Sequence, residues 1–452
     1  MTTAAFPSWI MLERFVFRRD NEESFPNAPI SVRGVTSWDA PFFVAFCLAD
    51  PRHVSRIYAR LPGFPDPRKQ VPLAILAAHR HVVLLRVATK TSEGAILQDF
   101  FIYDATEGSS AFSLKALPAC MEPDLDFHTR RDGRRIRRRR APPQAEKEAP
   151  AKRRVMAIGS MGILCRDKQE FAVAELNLFK PSRTQIFADI CMLRSGTSSS
   201  GNPCGEWNSM RVPIRLNGDN PAHEDMWLLC CWQTDTVVPF NRYLCWIDYY
   251  RGILFCDVFA EPTPTVYFHR FPLKEFPSTP NRSKTSSWLY RGATAIDDTV
   301  LMFVDVERND GIGYGKLKPS AGFTISCYSL RLNGEDWTQE YKVTSEQLWL
   351  TNTNLPREIL MFPQVNIDRP HVVNFVISEF KYVMKKMWVV AIDLNTRTVE
   401  SFYQYINGFE DRETEDADLT IEKSDFPKPF LPCEFSKFLR FLKVILLHIC
   451  NL

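Results

Sequence analysis

Between Cys245 and Phe259 the chain reads CWIDYYRGILFCDVF, two apolar runs that each close on an aspartate and are separated by Tyr249-Tyr250-Arg251. So few residues between Asp248 and Gly252 leave room only for a tight reversal, and Gly252 supplies the backbone freedom that closing such a loop demands. Asp248 can accept hydrogen bonds from turn amides, as aspartate does at chain corners. The stretch therefore predicts a β-hairpin with Trp246, Ile253 and Phe255 facing a core. Asp248 and Asp257 read as turn-formers and not as catalytic acids.

The same sequence of apolar run, aspartate and turn appears at FFIYD ending on Asp104, LCWID ending on Asp248 and VVAID ending on Asp393. These aspartates stand 144 and 145 residues apart, close to three blades of about 48 residues each in a propeller of the kelch size. Composition points the same way. With 33 Phe and 31 Pro against 19 Gly, the chain suits many short strands punctuated by proline-marked turns. Strands are expected at Met11–Phe17, Ile30–Thr36, Phe42–Leu48, Leu73–Ala78, His81–Val87 and Phe100–Tyr103, and again from Val155 through Tyr405, including Met226–Trp232. Asn333-Gly334 predicts a further hairpin. No strand–helix–strand rhythm appears, and the apolar runs are too many for one sandwich. The expected fold is mostly β, a β-propeller or propeller-like antiparallel array.

Charge divides the chain. The segment Arg130–Arg154 holds twelve Arg and Lys against Asp132, Glu146 and Glu148. The formal net charge of +3 is thus +9 in this segment and −6 elsewhere. Such a stretch has almost nothing to bury and reads as disordered. The expected organisation is an N-terminal β segment over 1–120, an Arg-rich insert over 121–154 and the main β region over 155–408. An acidic linker follows over 409–433, and the C-terminal 434–452 carries apolar positions at helical spacing, an amphipathic helix packed on the domain. Within the insert, Arg139 and Arg140 precede Lys152, Arg153 and Arg154 at the two-cluster spacing of a nuclear-import signal, which an import receptor would read. Contact with RNA or another polyanion is the alternative, weakened by the lack of stacking aromatics in the segment.

Other patterns carry less. Twelve Cys are dispersed without any Cys-x-x-Cys spacing and read as reduced, buried thiols. Cys230-Cys231 are expected on a strand, pointing to opposite faces. His79 and His81 would share a strand face, but no third ligand accompanies them, and Cys191 and Cys204 flank the Ser195–Gly201 loop without a nearby His. That loop lacks the nucleophile-elbow pattern, and Gly311–Lys316 lacks the phosphate-loop pattern. Pro7 and Glu13 interrupt the first apolar run, so secretion is not expected, and no apolar run reaches transmembrane length. The protein is expected in the nucleus or cytoplasm, off the membrane.

Trp246-Ile247-Asp248, Gly252 to Val258, and Val266-Tyr267-Phe268 leading to Phe271-Pro272-Leu273 resemble the signature of a plant family known as domain of unknown function 1618. Pro7 to Leu12 resembles the opening of such proteins, and Trp388 to Asp393 their closing strand. Phe268-His269-Arg270-Phe271 departs from the small residue and aliphatic pair of the family. The resemblance implies a mostly β fold and carries over no functional residue. Two function classes follow: a non-catalytic module binding a protein partner, with no cofactor or metal, or a hydrolase whose carboxylates, such as Asp248, Asp257 and Asp305, converge in a propeller channel.

Overall fold

The computed structural model describes residues 6–65, 72–106, 114–121, 153–168, 170–182, 185–196, 205–216, 223–273, 287–311, 314–332, 336–380, 384–406 and 428–439. The first strands are β1 (Ile10–Arg18), β2 (Ile30–Val35), β3 (Pro41–Cys47) and β4 (Val54–Arg60). A four-stranded meander follows: β5 (Leu73–His79), β6 (Val82–Lys90), β7 (Ile96–Asp104) and β8 (Lys115–Ala116). A third group holds β9 (Met161–Cys165), β10 (Phe171–Ser182), β11 (Gln185–Arg194) and β12 (Trp207–Arg215). The fourth holds β13 (Thr236–Phe240), β14 (Tyr243–Asp248), β15 (Gly252–Asp257) and β16 (Val266–Arg270). These two meanders join edge to edge, because β12 runs parallel to β16 at Ile214↔Val266 and Arg215↔Tyr267.

Two more meanders complete the chain: β17 (Arg291–Ile296), β18 (Val300–Arg308), β19 (Phe323–Arg331) and β20 (Thr338–Thr344), then β21 (Met361–Val365), β22 (Val372–Phe380), β23 (Met384–Asp393) and β24 (Thr398–Ile406). Finally β25 (Leu431–Cys433) returns to the start, pairing antiparallel with β1 in the order β2-β3-β4-β1-β25.

Apolar residues fill the spaces between successive groups. One core lies between the β1–β4 and β5–β8 groups, the next between β5–β8 and β9–β12, and the next between β9–β12 and β13–β16. A fourth joins β13–β16 to β17–β20, and the largest takes in β17–β20, β21–β24 and the outer face of β1. The opening strands of neighbouring groups lie side by side: β5 beside β9, β9 beside β13, β13 beside β17 and β17 beside β21. Both faces of an inner sheet are therefore buried.

That double burial decides the β14–β15 hairpin. Trp246 and Leu254 face the core shared with β9–β12, whereas Cys245, Ile247 and Ile253, with half-buried Phe255, face the core shared with β17–β20. Trp246 and Ile253, expected in one core, sit on opposite faces. The Trp246 indole donates to Ser160 O at 2.7 Å, so its one polar atom is satisfied inside the core.

The repeat is also corrected. Asp104 and Asp393 close the third strands of their meanders, but Asp248 closes a second strand. Their true counterpart is Asp257: Val82↔Asp104, Tyr243↔Asp257 and Val372↔Asp393 are equivalent pairs. Each carboxylate accepts the amide two residues on, from Thr106 at 2.8 Å, Phe259 at 3.1 Å and Asn395 at 2.8 Å. Each also faces a basic residue just before the second strand, His81 at 3.8 Å, Arg242 at 3.4 Å and His371 at 3.8 Å.

Other differences have local causes. The expected strand Met226–Trp232 is instead helix α1 (His223–Cys230), so Cys230-Cys231 stand at a helix end. A short apolar run fits a buried helix as well as a strand, and Leu228 and Leu229 bury one side of this one. A second helix, α2 (Ser287–Tyr290), stands just before β17 within the stretch expected to hold strands. The third, α3 (Ser345–Thr351), follows a Thr344–Gln347 capping box. The insert is anchored at both edges, with Met121 bridging to Arg153 and Arg154 N donating to Cys120 O at 2.9 Å. The expected acidic linker ends in β25, and the expected C-terminal helix begins as a 3-10 turn, Phe435–Phe438, with Phe435 buried; its remainder lies outside the described residues. Among the described residues no helix is long and apolar enough to cross a membrane.

Replacing Trp246 by Ala is expected to lower stability by about 3 to 5 kcal/mol, because it empties a filled core and strands the Ser160 carbonyl. Urea unfolding measures this; a loss under about 1 kcal/mol would mean that the indole is not packed as described.

Candidate functional site

A cavity of about 320 Å³ lies where the opening strands meet. Strands β5, β13, β17, β21 and β25 all contribute wall residues, and Arg14 enters from β1. The wall is tight on one side, where a Cβ at Gly292 would stand 2.0 Å from Pro363 O. Only glycine lets β17 and β21 approach this closely.

At one end, the residues just past four opening strands are tied into a knot. Arg80 Nη2 pairs with Asp298 at 2.8 Å, and its Nη1 donates to Arg166 O at 2.9 Å. Asn241 Nδ2 donates to Asp298 O at 3.1 Å. Cys165 N donates to His79 Nδ1 at 2.8 Å, which fixes the proton on Nε2, 3.9 Å from Asp298. His79, and then Arg80, hold the Asp298 carboxyl well below the usual carboxylate range against the opposing effect of burial. Lys437 and Glu434, just beyond β25, pair with each other at the cavity wall.

The other end is built differently. Opposite β4, the register of β1 runs Leu12↔Ser55 and then Val16↔Ile57, so β1 spends four steps where β4 spends two. A bulge of this kind re-aims side chains. Glu13 turns back into the core, accepting from Phe15 N at 3.1 Å and from Tyr405 OH at 2.5 Å. Arg14 points into the cavity. Among the described residues no hydrogen bond or ion pair reaches the guanidinium, and its Nε is buried without a partner. Burial lowers its pKa, offset in part by Cys433, Tyr249 and Glu13, yet an arginine stays protonated at neutral pH.

The residues singled out from sequence lie elsewhere. Asp248 is buried, accepting from Gln233 N at 2.8 Å and Tyr250 N at 2.9 Å and pairing with Arg251 at 2.8 Å. Gly252, at the other side of the turn, pairs with Asp248 across the hairpin. Asp257 lies at the far end of that hairpin, about 17 Å along the strands by their rise. Asp305 pairs with Arg291 at 2.8 Å. None of the three lines the cavity. His79 and His81 do not share a strand face, because Arg80 turns between them at φ 49°. Among the described residues no group of three His, Cys, Asp or Glu is placed to hold a metal. Cys191 faces Cys120, with Sγ atoms 3.5 Å apart in a buried core; Cys204 lies outside the described residues.

Of the import candidates, Arg139, Arg140 and Lys152 lie outside the described residues. Arg153 donates to Ser37 Oγ at 2.8 Å and faces Asp99 at 3.6 Å. Arg154 pairs at 2.6 Å with Glu175, which is 1% exposed. Releasing Arg154 would leave that carboxylate buried and unpaired, a costly exchange.

Sequence reasoning missed Arg80, Asn241, Asp298 and Arg14. One signal for Arg14 was available, the charged pair Glu13-Arg14 inside an otherwise apolar run.

Residues 246–374, from β14 into β22, match the model of a family described as Protein of unknown function (DUF1618). No curated protein matches the chain.

Asp298 keeps its charge more tightly folded than unfolded, so its contribution to stability is fully present above about pH 4 and is lost as pH falls below that. Asp298→Asn is therefore expected to destabilise at neutral pH, with the difference from wild type shrinking on acidification from about pH 4 downward. Thermal unfolding across that range checks it; a difference that does not change with pH would rule out the ion pair as its source.

Proposed function

We propose a function from the geometry, since the family that residues 246–374 match is described without a role: a non-catalytic recognition module, its strand groups set as six propeller blades around the central cavity. Support for the blades comes from the side-by-side opening strands and from the apolar cores that join each group to the next, the last back to β1. The return of β25 to β1 then acts as the closure between the two ends of the ring.

The observation that carries the recognition reading is the state of the carboxylates. Asp298 and Glu434 line the cavity already paired with cations, Asp297 stands exposed on the β17–β18 turn, and Asp248, Asp257 and Asp305 are engaged at other sites. Hydrolysis of a glycosidic bond needs two carboxyl groups facing each other across the substrate. A cavity in which Asp298 and Glu434 are already paired and Asp297 stands on an exposed turn is suited to holding a ligand and not to moving its protons.

Two outcomes are expected. Wild-type protein incubated with chromogenic esters, glycosides and phosphates should show no turnover; a rate that disappears in Asp298→Asn would establish an enzyme. Leu431→Asp, which disrupts the proposed closure, should lower the urea midpoint of the whole chain in one transition. Separate transitions, with the β9–β20 groups unaffected, would overturn the closed ring.

A further inference from the structure

We propose that the Arg14 end of the central cavity is a binding site for a small monocarboxylate with a compact apolar body, a reading that deepens the recognition role above and rests on it. The guanidinium is the group that would hold the ligand. Arginine offers five N–H donors in a planar fork that matches the two oxygens of a carboxylate. Buried polar atoms are ordinarily satisfied, and an exception in a native fold calls for a reason. Here the exception is not an accident of an exposed side chain, because the β1 bulge delivers Arg14 into the cavity while sending the adjacent Glu13 to Tyr405 and Phe15. Glu13, the nearest acid in sequence, still attracts Arg14 through space, but its carboxylate oxygens accept from Tyr405 and Phe15 and not from the guanidinium. Asp235, on the β13 side, accepts from Tyr249 N at 2.9 Å.

Charge sets the ligand class. The other cations at the cavity, Arg80 and Lys437, are paired with Asp298 and Glu434, and the remaining lining acid, Asp297, stands exposed on the β17–β18 turn, so the Arg14 charge is left at its own end for the ligand. A single carboxylate balances it, whereas a phosphate dianion would bring a second charge into a site without a second cation. Thr294 adds a polar contact of the right kind: its Oγ1 accepts from Gln364 Nε2 at 2.9 Å, leaving the hydroxyl proton for an acceptor in the cavity. The rest of the ligand meets Val237, Val238, Ala295 and Phe430. A volume of about 320 Å³ sits at the lower end of small-molecule sites and suits a single ring or a short branched chain.

Isothermal titration with benzoate, its neutral isostere benzamide and phenyl phosphate tests the assignment on the full chain. Benzoate is expected to bind saturably, and benzamide about tenfold to a hundredfold more weakly, the worth of charge-assisted hydrogen bonds. Arg14→Gln should remove that preference, and Arg14→Lys should restore part of it. Should Arg14→Gln fail to fold, Ala295→Phe fills the cavity with Arg14 retained and is expected to abolish benzoate binding. No saturable benzoate binding by wild type would overturn the site, as would equal affinity for benzoate and benzamide. Tighter binding of phenyl phosphate than of benzoate would overturn the carboxylate class. None of these results touches the recognition reading itself. That reading falls separately if nuclear magnetic resonance of the recovered probes shows any of them chemically altered.

Discussion

The pairing of β25 with β1 is the contact on which the rest depends. It covers only three residue pairs, Ile10↔Cys433, Met11↔Pro432 and Leu12↔Leu431. Yet it brings the two ends of the described chain into one sheet and sets β1 between β25 and β4. From that position β1 presents Met11 and Phe17, beside the preceding Trp9, to the core shared with β17–β24, and Ile10, Leu12 and Val16 to the core shared with β5–β8. A strand so placed has no solvent face, and the interior it separates would open along both sides without it. Loop closure over so long a chain carries an entropic cost that grows only slowly with length. Two buried faces are a large return for a few backbone hydrogen bonds.

Burial on both faces also shaped what could be read in advance. An antiparallel strand with one wet face alternates apolar and polar residues, and the alternation tells which side is in. Here the β14–β15 hairpin reads CWID and GILFCD, apolar throughout, so the sequence located the strands and the reversal at Gly252 but could not divide Trp246 from Ile253 between two cores. The same loss of alternation let a buried helix pass for a strand at Met226–Trp232. Strand β4, with Ser55 and Arg56 breaking its run, escaped altogether. Mostly β architecture was legible from short apolar runs and their turns; which sheet each run entered depends on tertiary partners.

The aspartate pattern shows the limit of spacing as evidence. Equal intervals of 144 and 145 residues made Asp104, Asp248 and Asp393 look like one structural position. The shared register belongs to Asp104, Asp257 and Asp393, whose intervals are unequal because the loops and the Arg-rich insert differ in length. What repeats is physical: a carboxylate at the end of a third strand, accepting an amide two residues on and facing a basic residue that precedes the second strand. The local motif was visible at all four aspartates. Only the pairing partner across the sheet says which of them are equivalent.

The cavity was the least legible part, for the same reason at closer range. Each member of its polar knot comes from a different strand end, so no local stretch contains two of Arg80, Arg166, Asn241 and Asp298. Arg14 is subtler. A charged pair within an apolar strand is a visible anomaly, but an unbroken register would have placed Glu13 and Arg14 on the two opposite faces, each facing an apolar core. The bulge against β4 changes that outcome, giving Glu13 a hydroxyl and an amide and leaving Arg14 at the cavity. The bulge is a property of two strands, not one. A site whose decisive residue is positioned by a neighbouring strand is therefore set by sheet assembly, here by the pairing of β1 with β4.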